Sequence, residues 1–221
     1  MAQKPSLPPG YLGAQPKFAE LGLSALSNID SEIVADNNEL EIKIKFKDNV
    51  KVTHQLINTR DEKDISDFVF TQTYCGTITF IIHLPESGYY KFQIFALSEN
   101  DESKSLPNVY NYLINCTQAL TPVFPFPKQY AQWKNGCYLH KPLVLHKEMP
   151  LRDIFWKVVI PDAKAVAVVA DGEWFHLEKK GNHFEGSSNL DPFKGKDTKV
   201  TVKANFGPDE SKYSTMLQYN L

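Results

Sequence analysis

The side chains of this chain that could supply a nucleophile and a base are three cysteines, Cys75, Cys116 and Cys137, and six histidines, His54, His83, His140, His146, His176 and His183. Cysteine catalysis needs a thiolate held beside an imidazole that a carboxylate or amide orients. Cys75 reads as part of a turn and Cys137 as part of a strand, neither is followed by a helix signal, and the histidines are scattered. They read as structural thiols and surface imidazoles. An enzyme using Cys75 or Cys137 remains a second alternative. The sequence contains no Cys-x-x-Cys, His-Glu-x-x-His, Gly-x-Ser-x-Gly or phosphate-cradling glycine loop, so it assigns no catalytic, cofactor-binding or metal-ligating residue.

A different chemistry is offered by Trp174, in AKAVAVVADGEWFHLEKKGNHFEG (residues 163–186). The stretch resembles the start of glycogen- and starch-binding sandwiches, where a Val-rich strand leads to a turn carrying a Trp that stacks on sugar rings. Aromatic faces suit the apolar CH faces of sugars. Trp174 would be the platform, with Trp133 or Trp156 as a companion. The plainer expectation is that Trp174 fills the core of its own domain.

These side chains need elements to hold them, and the pattern is of strands. Glu39–Phe46, ELEIKIKF, puts Leu40, Ile42, Ile44 and Phe46 on one face and charged residues on the other, the alternation of a half-buried strand. Asp48-Asn49 makes a turn, and Val50, Val52 and Leu56 continue as the second arm of a hairpin. Further strands read at Phe68–Phe70, Thr77–Leu84 and Tyr110–Ile114, with a turn at Cys75-Gly76. Three prolines in TPVFPFPK (residues 121–128) mark an extended connector. Beyond it, strands read at Cys137–Leu145, Ile154–Ile160, Ala165–Ala170, Trp174–Leu177, Lys199–Ala204 and Thr215–Leu221, with an Asp171-Gly172 turn.

LPESGYYKFQIFA (residues 84–96) carries a more specific pattern. Immunoglobulin domains place an acid-x-Gly-x-Tyr-x-Cys run at the start of strand F, where the Tyr hydroxyl caps upstream backbone and the Cys forms the bridge between sheets. Here Gly88 and Tyr90 keep their places and Phe92 stands where the Cys would be. Burying Phe92 or Ile94 contributes about 1.5 to 3 kcal/mol each, comparable to a typical disulfide. A bridge-free sandwich is energetically reasonable.

The chain also repeats itself. Lys91–Lys104 (KFQIFALSENDESK) and Lys199–Lys212 (KVTVKANFGPDESK), offset by 108 residues, share Lys, Ala and the whole Asp-Glu-Ser-Lys run. Alternation alone would align the apolar positions but not the polar tetrapeptide, so the match points to duplication. In both copies the run lies where an F–G hairpin loop would be. Asp101, Glu102 and Lys104, with Asp209, Glu210 and Lys212, are candidate contact residues; the plainer reading is a charged, solvated turn. The second copy has Thr198 where the repeat would place Tyr90.

A length of 221 residues suits two domains, and a net charge of −2 leaves no electrostatic footprint for nucleic acid. The polar, Pro/Gly-rich N-terminus has no apolar leader, no stretch is long enough to span a bilayer, and three unpatterned cysteines suit a reducing compartment. The expected organisation is an all-β pair of tandem immunoglobulin-like antiparallel β-sandwiches: an extension over 1–16, a sandwich over 17–120, the connector over 121–128 and a second sandwich over 129–221.

PPGYLGAQPKFAELGL, SGYYKFQIFAL, SKSLPNVYNYLINC, FPKQYAQWKNGCYL, AKAVAVVADGEW and DESKYST together resemble the C-terminal region of hillarin and kyphoscoliosis peptidase proteins. The resemblance implies immunoglobulin-like modules that follow a transglutaminase-like cysteine-protease domain lying outside this chain. That domain would hold the family's catalytic Cys, His and Asp, so no catalytic role is carried over. It further implies a cytoplasmic, cytoskeleton-associated protein with filamin-like or septin-associated partners; from the charge and motifs above, no cofactor, nucleic acid or membrane is expected.

Overall fold

The computed structural model describes residues 2–221. The chain divides into two compact units, residues up to 71 with 75–125, and 72–74 with 126–221.

Ten strands precede residue 126, all in the first unit except the last three residues of β7: β1 (Gly13–Ala14), β2 (Ser24–Ala25), β3 (Glu32–Ala35), β4 (Glu39–Lys45), β5 (Val50–Asn58), β6 (Lys63–Asp64), β7 (Val69–Tyr74), β8 (Thr77–His83), β9 (Gly88–Ser98) and β10 (Asn108–Cys116). They form two sheets, ordered β1-β10-β9-β5-β6 and β2-β4-β8-β7, with β3 added in parallel to β10. The alternation in ELEIKIK becomes burial of Ile42 and Ile44. Cys75 and Gly76, at φ 50° and 74°, make the tight turn between β7 and β8 by the two positive-φ residues that such hairpins favour. The core lies between the sheets, where Phe80 of β8, Phe92 of β9 and Tyr112 of β10 are fully buried.

The stretch expected as an extension holds β1, which pairs Gly13 and Ala14 with Asn111 and Tyr110. The Asn111 amide donates to the Tyr11 carbonyl at 2.8 Å. The Gln15 side chain donates to the carbonyls of Gly10, Tyr11 and Gly13 at 3.1 to 3.2 Å. Prolines remove backbone donors from this arm, and side-chain amides anchor its carbonyls instead. A short helix, α1 (Pro16–Glu20), then buries Phe18, which meets Tyr110 edge-on at 5.1 Å.

The second unit has β11 (Lys128–Gln129), β12 (Tyr138–Lys141), β13 (Ile154–Val159), β14 (Ala165–Ala170), β15 (Glu173–His176), β16 (Glu178–Lys180), β17 (His183–Ser188), β18 (Lys199–Asn205) and β19 (Ser214–Asn220). Its sheets are ordered β11-β19-β18-β14-β15 and β12-β13-β17-β16. Asp171 and Gly172, at φ 47° and 77°, close the β14–β15 hairpin. Trp156 is fully buried, with its Nε1 donating to Ser188 Oγ at 2.8 Å and its ring edge-on to Tyr219 at 5.4 Å.

Strand for strand, β19-β18-β14-β15 repeats β10-β9-β5-β6, and β12-β13-β17-β16 repeats β2-β4-β8-β7. The chain is a tandem of immunoglobulin-like β-sandwiches.

Candidate interaction surfaces

Strand β9 begins at Gly88, whose φ of 140° lies where side-chain-bearing residues are strained. Two residues on, the buried Tyr90 donates its hydroxyl to the Glu86 carbonyl at 2.6 Å and accepts from the Glu86 N–H at 3.1 Å. Burial pushes the Tyr90 phenol up to about 12, so it stays a neutral donor. In the second unit Thr198 does a smaller version of this work: its hydroxyl donates to the Phe193 carbonyl at 3.3 Å. Phe92, at the place of a bridging cysteine, meets Phe80 of the facing sheet edge-on at 5.3 Å. The three cysteines are free.

The repeated Asp-Glu-Ser-Lys run sits in both copies between the last two strands, and in both the Asp carboxylate takes a bond from the Ser two residues on. Asp101 Oδ1 accepts from Ser103 N at 2.9 Å, and Asp209 Oδ1 accepts from Ser211 N at 2.9 Å and from Ser211 Oγ at 2.6 Å. The bonds from Ser103 and Ser211 hold both carboxyls below the usual carboxylate range. Asp101, Glu102, Lys104, Asp209, Glu210 and Lys212 are all exposed. The second loop is also braced from beneath. The buried Asn205 donates to the carbonyls of Asp209 and Lys212, both at 2.7 Å, and accepts from Gly207 N at 2.8 Å. In the first loop Lys51 Nζ bonds the Asp101 carbonyl.

Trp174 does not fill the core. It lies on β15, the end strand of its sheet, 41% exposed, edge-on to Tyr213 at 4.9 Å and near-parallel to His176 at 5.9 Å. Strand alternation puts Trp174 and His176 on one face, opposite the half-buried Phe175. Trp133 and Trp156 are both buried, so neither can accompany Trp174 on a sugar.

Two of the three thiols and the His54 ring are tied into structure. Burial pushes the Cys116 and Cys137 thiols up, opposite to the activation a nucleophile requires. Cys75 stands exposed at a turn apex. His54 bridges Thr71 Oγ1, at 2.8 Å, and the Ser66 carbonyl, at 3.0 Å. Among the described residues, no group of three His, Cys, Asp or Glu side chains could hold a metal ion, and no helix is long and apolar enough to cross a membrane.

Comparisons with known proteins add the following. The chain is similar to the crystal structure of the Lin-41 filamin domain at 13% identity, over 47% of this chain and 97% of that one, with a TM-score of 0.29. It is similar to titin domains Z1Z2 in complex with telethonin at 11% identity, over 86% and 89%, with a TM-score of 0.25. A third likeness, to the tandem Ig repeats of Dlar, has 9% identity over 90% and 96%, with a TM-score of 0.26. No curated protein matches it. Residues 8–127 match the family described as KY-like, immunoglobulin-like domain. The match runs from Pro8 through the whole first sandwich, and the chain belongs to that family.

Proposed function

We propose that the chain is a non-catalytic protein-interaction module of the cytoskeleton, which supports a transglutaminase-like domain upstream of it. The observation that carries this reading is the pair of preorganised F–G loops. Charged loops that reappear in both sandwiches, each with an Asp carboxylate already bonded to the following Ser, lose less conformational entropy when a partner binds. The resemblance to hillarin and kyphoscoliosis peptidase proteins suggests a cytoplasmic setting and partners of filamin-like or septin-associated type. Strand addition to a sheet edge is the mechanism that suits such sandwiches.

The test uses the chain as bait in muscle or epithelial lysate, beside a variant with Asp101, Glu102, Lys104, Asp209, Glu210 and Lys212 reversed in charge. Recovery of the same cytoskeletal proteins by both baits removes the loops from the contact surface. Labelling of Cys75 or Cys137 by a cysteine-directed peptidase probe would overturn the non-catalytic assignment.

The exposure of Trp174 beside Tyr213 and His176 favours a second reading, a glucan-stacking platform. Titration with maltoheptaose while following tryptophan fluorescence decides it.

A further inference from the structure

We infer that the outer edge of β5 is a docking strand for an extended peptide segment of a partner protein. This rests on the reading of the chain as an interaction module and gives that reading a surface and a class of partner.

The hydrogen bonds at the ends of β5 fix which backbone groups are open. Asn49 O accepts from Glu99 N at 3.0 Å, and Thr59 N donates to Tyr89 O at 3.0 Å, so odd-numbered residues face β9. Leu56 points the other way: its O accepts from Ile65 N at 2.8 Å and its N donates to Ser66 Oγ at 3.0 Å. Antiparallel ladders alternate in this manner, and β5 runs along β9 from Val50 to Asn58 without a register shift. Val52 and His54 therefore turn their N–H and C=O outward, as Leu56 does. Strand β6 pairs only Ile57 and Asn58, which leaves these four groups without a strand partner among the described residues. The opposite edge of the same sheet is closed by the chain itself, since β1 covers Tyr110 and Asn111 of β10 and β3 covers Leu113–Cys116.

Alternating outward N–H and C=O groups are matched by another extended backbone. Among the described residues the stretch Val50–Gln55 has no strand beside it on this edge, and the 3-10 turn Ser66–Phe68 bounds it at the His54–Leu56 end, which leaves room for a short strand. Val52 has its side chain on the core face and is only half-buried, so an apolar peptide side chain placed beside it extends the core. The outward row of Lys51, Thr53 and Gln55 is polar and carries one positive charge, which suits hydroxyl or acidic side chains at the alternate peptide positions. The occupant is thus a segment of alternating apolar and polar or acidic residues, free of proline where it pairs.

The test is selection of random seven-residue peptides, displayed on phage, against the full chain. Selected peptides are then synthesised for anisotropy titration and for amide exchange of the wild-type complex. The expected result is an alternating apolar–polar consensus and at least tenfold slower exchange at the Val52 and His54 amides on binding. Val52→Pro should lower affinity at least tenfold, because proline removes one outward donor while the donors to β9 sit on odd residues. An unchanged near-UV spectrum verifies its fold, and the exchange measurement needs no variant. Failure to select a peptide, protection at other amides, or equal binding by Val52→Pro overturns the proposal. Self-association of the chain that protects the same amides without peptide overturns the peptide as occupant and assigns the edge to a second copy. If the loop charge reversals abolish recovery of cytoskeletal proteins while Val52→Pro does not, the interaction reading survives and the docking edge falls.

Discussion

Phe80 and Phe92 meet edge-to-face across the two sheets of the first sandwich, with ring centroids 5.3 Å apart, and Phe92 stands where an immunoglobulin domain would carry one cysteine of its bridge. Edge-on aromatic pairs contribute about 0.5 to 1.5 kcal/mol beyond the area they bury. Phe92→Ala is expected to cost about 3 to 5 kcal/mol, measured by urea unfolding. A loss under about 1 kcal/mol would show that the sheets are held elsewhere.

The two corner bonds should differ in weight. Tyr90→Phe removes a hydroxyl that both donates to and accepts from Glu86, and it is expected to cost about 1 to 2 kcal/mol. Thr198→Val removes one 3.3 Å bond and should cost about 0.5 kcal/mol or less, as a long, single bond. Equal losses in the two variants would remove the corner as a distinguishing feature of the first unit.

His54 couples stability to pH. Its ring lies between Thr71 Oγ1 and the Ser66 carbonyl, 6.4 Å from the centroids of Phe80 and Phe92, and desolvation lowers its pKa against smaller raising effects of Ser66 and Asp64. A folded-state pKa below the unfolded value means that the unfolded chain binds the proton more readily. Stability is therefore full above the ordinary histidine value of about 6.5 and falls as pH drops through it toward the folded value. The urea midpoint should fall between pH 7.5 and 5, and the fall should shrink in His54→Gln. An identical pH profile for the variant would contradict the linkage.

Trp174 and Trp156 predict opposite costs. Trp174→Ala, at an exposed site, should change stability by about 1 kcal/mol or less, whereas Trp156→Ala removes a buried, hydrogen-bonded ring and should cost about 3 to 5 kcal/mol. Thermal unfolding of both variants checks this. A fluorescence change with maltoheptaose that vanishes in Trp174→Ala would favour the glucan reading; no change in the wild type would end it.

The strands that alternate strongly were legible because burial on one face writes itself into every second residue: Ile42 and Ile44, Ile78 to Ile82, Phe92 to Ala96, and Val200 to Ala204. The turns at Cys75-Gly76 and Asp171-Gly172 were legible through residues that tolerate positive φ. The short strands β1, β2 and β3, and Lys128–Gln129 at the end of the connector, were not. Each is fixed by a partner distant in sequence, as Gly13 is by Asn111, and proline content conceals a strand of two residues. β16 was missed because Glu178–Lys180 is exposed throughout and shows no apolar face, and β17 because Phe184 is the one large apolar residue of His183–Ser188. The shared Asp-Glu-Ser-Lys run located both loops, but the brace from Asn205 and the open edge of β5 depend on hydrogen-bond parity, which a single sequence does not display.

The central claim, that the chain acts by holding a cytoskeletal protein, is tested most directly by titrating it against purified filamin repeats and, separately, assembled septins in a surface-binding assay. The account predicts saturable binding to one of them that weakens at least tenfold when the six loop charges are reversed. Absence of binding to both, or binding that ignores the loop reversals and the Val52→Pro substitution alike, would contradict it.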